Sequence, residues 1–251
     1  MRRSLSEEFY KFIHEKIAWI GTLAMVIMTF YGAVGKVTPK IISMGFGAGQ
    51  WIVIVLFAIS STFFAMEYQH RTIIAMLYKH SHKSDIYFSK LFVLFSYNVF
   101  LSILSIPTTF LVKLICFPHR FSWTIMVNAH QNVWQALIVN TFGNAIYGIF
   151  AITLSFTLYM WLKNNVAVIG IGLFMGFMGS ALSAASMDFV PSLIEILKWN
   201  PFNLIFITQQ LIVPNTEEMS HLTNPELIGA NLIYALILSI VGLVLFKRRQ
   251  V

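Results

Sequence analysis

Long apolar runs alternate with short polar segments along the chain. A helix that crosses about 30 Å of hydrocarbon needs about 20 mostly apolar residues. Six windows qualify: Ile17–Val34, Gly49–Met66, Leu91–Val112, Val133–Leu162, Val166–Met187 and Ile228–Phe246. They lack the two-residue alternation of barrel strands, and single strands would leave backbone groups unpaired in lipid. The pattern predicts an all-α integral membrane protein with six transmembrane helices, forming a single domain over residues 1–251.

The composition supports membrane insertion. Hydrophobic residues make up 57% of the chain and charged residues 11%, against about 25% charged in typical soluble domains. The mean hydropathy is +0.74. The single cysteine, Cys116, excludes a disulfide within the chain and a cysteine zinc cluster. We predict no metal site.

The basic residues predict the orientation. With six spans, both termini lie on one side. That side would hold twelve of the seventeen Lys and Arg residues: Arg2, Arg3, Lys11, Lys16, Arg71, Lys79, Lys83, Lys90, Lys163, Lys247, Arg248 and Arg249. The positive-inside rule then places both termini in the cytoplasm of a cell (plasma) membrane. The net charge of +7 follows from this topology and from attraction to anionic lipid, so it does not indicate nucleic-acid binding.

The N-terminal segment from Ser4 to Ile17 has the pattern of an amphipathic helix. Its apolar face carries Phe9, Phe12, Ile13 and Ile17, and Glu7, Glu8 and Lys11 lie elsewhere around it. We expect it to lie in the cytoplasmic interface. It can serve as an anchor for the first span, or it can also contact a cytoplasmic partner.

The segment between the second and third spans begins at Glu67 and is helical in pattern to Leu77. Glu67 and Arg71 have the spacing of a helical ion pair. Exposed apolar side chains on a cytoplasmic helix need a surface that buries them, either their own bundle or another protein. The candidate contact residues are Glu67, Tyr68, Arg71, Thr72, Ile73, Met76 and Leu77.

This segment resembles the type-2 ABC exporter permeases, the ABC-2 family. Glu67, Tyr68, Thr72, Leu77 and Lys90 match the family's motif in order, although Arg71 stands where the family often has Gly. The N-terminal helix and the six spans extend the resemblance over essentially the whole chain. The resemblance implies that Glu67–Leu77 is a coupling helix that docks on a separate ABC ATPase subunit.

The fifth span carries small residues four apart. Gly172, Gly176, Ser180 and Ala184 form a groove in which another helix can approach closely. The approaching helix can belong to the same chain or to a second one. The resemblance favours a dimer with a second permease copy or a related permease.

The outer segment from Asp188 to Glu226 is predicted to contain two short helices. Pro191–Trp199 and Asn203–Val213 have helical patterns, and Asn200-Pro201-Phe202 separates them. Each is too short to cross the membrane. We expect re-entrant or interfacial helices here, as the resemblance also implies.

The sequence lacks the residues that would let the chain drive transport by itself through ATP hydrolysis or proton coupling. No nucleotide-binding loop of the form G-x-x-x-x-G-K-[ST] occurs, and none of the six windows contains Asp or Glu for a proton relay. The chain therefore needs no cofactor of its own, and ATP and Mg belong to the expected partner. We expect the histidines at positions 70, 80 and 82 to be solvated loop residues.

These observations favour a non-enzymatic permease subunit of an ATP-driven exporter. Within the family, compact chains of this length often serve the export of lantibiotics and other bacteriocins, or immunity to them, so the expected cargo is an amphipathic peptide or lipid-like compound. The alternative is a non-ABC membrane protein, such as an intramembrane enzyme or a sensory partner. Asn140 and Asn144 are the candidate polar pair for such an enzyme, although hydrogen bonding between helices explains them equally.

Overall fold

The computed structural model describes residues 2–69, 83–118 and 120–248, and the regular structure of these residues is helical. The eleven described α-helices, numbered here α1 to α11, are Arg2–His14, Lys16–Tyr31, Pro39–Ser43, Ala48–Gln69, Lys83–Cys116, Val133–Leu162, Asn165–Phe189, Ile194–Leu197, Ile207–Gln210, Thr216–Ser220 and Asn224–Arg248. Short 3₁₀ turns at Gly45–Gly47, Pro191–Leu193 and Asn203–Phe206 connect some of them.

Five helices are long and apolar enough to cross a membrane. They are α4 together with the preceding 3₁₀ turn, α5, α6, α7 and α11. A sixth span results if α1 from Ser4 and α2, which meet at a 58° bend, count as one. The predicted window Ile17–Val34 is shorter in the structure, because α2 contains only 16 residues. The chain is thus a multi-pass, all-helical membrane protein with five to six candidate spans.

The N-terminal helix ends earlier and faces the bundle differently than its sequence predicts. Helix α1 stops at His14, and α2 begins at Lys16. Phe12 is buried as expected, but Ile13 is 51% exposed and Glu8 is buried at 1% exposure. The prediction that Glu8 lies away from the packed face is therefore wrong, because an ion pair described below stabilises it inside. The interfacial placement of α1 stays a prediction.

The third span is one continuous helix over the described residues Lys83–Cys116. Helix α5 has 34 residues, so at 1.5 Å per residue it is about 50 Å long. It therefore extends about two turns beyond the predicted start at Leu91 and carries Lys90 within it. The fourth span, α6, has the predicted bounds and is likewise a single helix, with Asn132 and Gln135 forming a capping box at its start.

Helix α6 lies at the centre of the bundle, where it contacts α4, α5, α7 and α11. An aromatic cluster packs around its C-terminal half. The Phe64 ring centroid lies 4.8 Å from Phe156 and 5.5 Å from Phe246, and Tyr87 lies 5.9 Å from Phe246. The two Phe64 contacts are edge-on and the Tyr87–Phe246 contact is tilted. Together they join α4, α5, α6 and α11, which include two of the helices that carry the charged residues described below.

The outer segment contains the predicted short helices, broken after Leu197 and resumed at Asn203. Its irregular backbone is satisfied by buried amide side chains. Asn203 Nδ2 donates to the carbonyl oxygens of Lys198 and Ser220, and Gln210 Nε2 donates to that of Leu222. Such pairing is what non-helical backbone requires inside a membrane protein. Re-entry into the membrane stays a prediction.

Candidate functional site

Four charged side chains meet where α4 ends and α5 begins. We call Glu8, Lys11, Glu67 and Lys90 the inner charge cluster, after the cytoplasmic side on which the basic residues predict it to lie. Lys90 Nζ lies 2.6 Å from Glu8 Oε2 and 3.1 Å from Glu67 Oε1, and Lys11 Nζ lies 3.3 Å from Glu67 Oε1. Lys90 Nζ also lies 4.0 Å from the centroid of the Phe63 ring. The cluster joins α1, α4 and α5 by direct ion pairs.

Three of the four side chains are buried, and among the described residues the cluster pairs two lysines with two glutamates. The side chains of Lys90, Glu8 and Glu67 are 0%, 2% and 9% exposed, whereas Lys11 is 40% exposed. A buried charge loses its hydration, so it is tolerated only with close partners of opposite sign. Two lysines and two glutamates meet this condition. Separating α1 from α4 would break these pairs, and the ends of the three helices should therefore move together.

The cluster marks the point from which the predicted coupling segment departs. Of the seven candidate coupling residues, Glu67 lies in the described structure with its side chain. Tyr68 belongs to α4, but its side chain is outside the described residues, as are Arg71, Thr72, Ile73, Met76 and Leu77. The coupling helix and the ion pair between Glu67 and Arg71 remain predictions. The contacts of Glu67 with Lys90 and Lys11 are additional to that expectation.

The small residues of the fifth span lie partly against the second span of the same chain. A Cβ atom on Gly172 would lie 2.4 Å from Phe57 Cβ, and one on Gly176 would lie 2.9 Å from Ile54 Cγ1. The absence of a side chain therefore lets α7 approach α4 closely. Ser180 and Ala184 are half-buried farther along α7. A contact of this stripe with a second permease stays a prediction.

A polar cavity of about 380 Å³ lies at the other end of α4. Gln50 in its wall is 17 residues from Glu67, or about 25 Å along the helix. The polar side chains that line the cavity come from four parts of the fold: α4, α6, α7 and the outer segment. They are Gln50, Asn140, Asn144, Ser180, Thr208 and Gln209.

A turn with left-handed backbone shapes the edge of this cavity. Gly45, Phe46 and Gly47 have φ angles of 62°, 52° and 80°. This region is accessible to glycine and unfavourable for phenylalanine, but Phe46 is only 1% exposed, and its buried ring stabilises the turn. The turn brings the start of α4 to α6. Gly49 then lies so close to Asn144 that a Cβ atom would be 2.3 Å from Asn144 Oδ1.

The two asparagines of α6 form a hydrogen-bonded chain. Asn144 Nδ2 donates to Asn140 Oδ1 at 3.0 Å, and Asn140 Nδ2 donates to the Thr208 carbonyl oxygen. The sequence allowed two interpretations of this pair. Asn140 shows the second of them, hydrogen bonding between helical segments. These hydrogen bonds attach the outer segment to the central helix, α6.

Sequence reasoning missed two features of these sites. It singled out Glu67 and Lys90, but not the buried carboxylate of Glu8 between them. It also missed that Gln50 and Gln209 share a cavity with the asparagines. The only local signal was the i, i+4 spacing of Ser4, Glu8 and Phe12, which all face the bundle.

The comparison with known proteins agrees with this architecture. The chain matches no curated protein. The family model described as "ABC-2 family transporter protein" matches residues 4–179, which contain the inner charge cluster, α4 to α6 and most of α7. The match covers well over half of the chain, so this protein belongs to the ABC-2 family of transporter proteins.

Proposed function

We propose that this chain is the membrane-spanning permease subunit of an ATP-driven exporter. Members of the ABC-2 permease family are transport subunits that normally work with an ABC ATPase, often as dimers. In this proposal, two permease chains, identical or related, bind two ATPase subunits that supply ATP hydrolysis with Mg. The cargo is an amphipathic peptide or lipid-like compound, exported as an antimicrobial peptide or removed from the membrane as self-protection.

The inner charge cluster is the observation that carries this proposal. The segment that would contact an ATPase departs from α4 within a few residues of Glu67. Glu67 pairs with Lys90 at the inner end of α5, and Lys90 pairs with Glu8 of α1. A displacement of the segment by the ATPase would therefore act on α1, α4 and α5 at once. Such a rigid junction is what a permease without its own nucleotide site requires.

The distribution of charge supports a cytoplasmic location for this junction. With both termini inside, the cluster faces the cytoplasm and the polar cavity faces outward. The junction is then on the side where ATP is available. The cavity is on the side where an exported molecule would leave.

Coexpression with a candidate ABC ATPase tests the proposal. We expect the two proteins to copurify, and we expect ATP hydrolysis to increase when the permease is present. Glu67→Ala and the reversal Arg71→Glu should abolish stimulated hydrolysis and transport while membrane insertion is retained. The expected change is a loss of coupling, because both positions lie on the predicted partner-facing segment or at its base.

A matched control is available in the outer segment. Glu218 is exposed there, so Glu218→Ala also removes a glutamate carboxylate but leaves the inner charge cluster unchanged. This variant should stimulate the ATPase as the unmodified protein does. Full transport by both Glu67→Ala and Arg71→Glu, or transport by the permease alone in vesicles, would refute the proposal.

A further inference from the structure

The chemistry of the polar cavity indicates a ligand class. We propose that this cavity binds an uncharged stretch of peptide main chain. The inference rests on the proposed function and deepens it, because it selects peptide over lipid as the cargo chemistry.

The wall of the cavity is rich in primary amides. Gln50 and Gln209 each offer an N–H donor and a carbonyl acceptor, and Ser180 adds a hydroxyl group. The amides of Asn140 and Asn144 also line the cavity, but they bond to each other and to the Thr208 carbonyl oxygen. A peptide main chain repeats the same pair of groups at every residue. Each ligand amide can therefore donate to one wall oxygen and accept from one wall nitrogen.

The wall also favours a neutral ligand. Among the described residues that line the cavity, none is Lys, Arg, His, Asp or Glu. A charged group entering the cavity would give up hydration without meeting an opposite charge, which is unfavourable. Neutral amides avoid this cost because their hydrogen bonds to water are replaced by equivalent bonds to the wall.

Several wall groups have hydrogen-bonding capacity left. Asn144 is 2% exposed, and its Oδ1 atom has no donor among the described residues. The side-chain amides of Gln50 and Gln209 make no hydrogen bond to other described residues, and they belong to different parts of the fold. The Asn144 oxygen is enclosed beside Gly49, so a ligand would bond to the amides of Gln50 and Gln209, which face the cavity.

The size of the cavity and its apolar wall are consistent with a short peptide segment. Its volume of about 380 Å³ falls within the range of about 300–1,000 Å³ that is usual for ligand pockets. Ile41, Val53, Phe177 and Ile205 also line it, so apolar side chains of the ligand would find apolar contacts next to the amides.

A single reporter thiol allows a direct binding test. Cys116 is the only cysteine of the chain, so Cys116→Ser gives a background without thiols. Ser180→Cys then places one thiol in the cavity wall with little change of volume. The full chain in lipid nanodiscs, without any ATPase, is treated with a thiol reagent. The labelling rate is measured at increasing concentrations of the capped tripeptide acetyl-Ala-Gln-Ala-amide.

We expect saturable protection of this thiol by the capped tripeptide. Gln50→Leu and Gln209→Leu should each raise the half-protecting concentration about fivefold, the effect of losing one neutral hydrogen bond. Gln50→Asn and Gln209→Asn retain the amide and serve as matched controls with a smaller effect. Size-exclusion chromatography checks that each variant is folded. Gln50 is half-buried and Gln209 is exposed, so neither substitution removes a core contact.

Other outcomes would overturn the inference. These are no protection, protection that both Leu variants retain in full, equal protection by the uncapped zwitterionic tripeptide, or protection by the neutral sugar maltotriose in place of the peptide. Because no ATPase is present, failure of binding leaves the proposed function standing. Intact binding without any ATPase coupling would refute the proposed function and leave the cavity assignment in place.

Discussion

Removal of the lysine at the centre of the inner charge cluster should destabilise the protein strongly. Lys90→Met keeps the length of the side chain but removes its charge. The carboxylates of Glu8 and Glu67 then remain in a buried site, and Lys11, which is 40% exposed, is the only other lysine of the cluster. Two negative charges would be held close together after one of the two cluster lysines has been removed.

The magnitude follows from the burial of the pair. Breaking a buried ion pair by removing one partner costs about 3–5 kcal/mol, because the other charge stays buried without compensation. For chains of this length, 1 kcal/mol shifts the midpoint of thermal unfolding by about 2–4 °C. We therefore expect Lys90→Met to lower Tm by roughly 6–20 °C.

A thermal unfolding assay in detergent, with helical circular dichroism as the signal, measures this shift. Lys16→Met is the matched control because Lys16 is exposed at the start of α2, and it should leave Tm nearly unchanged. The triple variant Lys90→Met, Glu8→Gln, Glu67→Gln should recover most of the lost stability, because it contains no uncompensated carboxylate.

The triple variant also separates stability from coupling. If the ion pairs transmit motion, the variant should be stable and yet fail to couple ATP hydrolysis to transport. A Lys90→Met protein that unfolds at the unmodified Tm would refute the burial argument. A triple variant with full transport would show that the cluster stabilises the bundle without transmitting force.

Two further changes test the packing of the bundle and the attachment of the outer segment. Gly172→Ala should lower the free energy of unfolding by about 1–3 kcal/mol, because the new Cβ would overlap Phe57. The control Gly170→Ala has open space around its new Cβ and should not destabilise the protein. Equal Tm values for the two variants would contradict this prediction. Asn140→Leu should cost about 1–3 kcal/mol and increase hydrogen exchange around Thr208, since it leaves that buried carbonyl without its donor; unchanged exchange there would refute the attachment.

The sequence was sufficient for much of the architecture. The fourth span has its predicted bounds, Val133–Leu162, and the two short outer helices occur where Asn200-Pro201-Phe202 separates their patterns. These features are local, because the transfer of each side chain to lipid and the interruption of a helix at proline depend on neighbours in sequence. The first span was less predictable, because α2 ends at Tyr31, before the end of the apolar window, and reaches the length of a span only if α1 is counted with it across the bend.

The functional sites were decided by tertiary packing. Glu8, Glu67 and Lys90 are separated by 59 and 23 positions, and hydropathy alone describes each of them as a polar residue at the end of a helix. Their pairing depends on which faces of α1, α4 and α5 turn toward each other. The polar cavity likewise depends on the approach of α4 to α6 at Gly49. The sequence determines which segments enter lipid, since that is a property of each segment, whereas only the packed bundle determines which buried polar groups become partners.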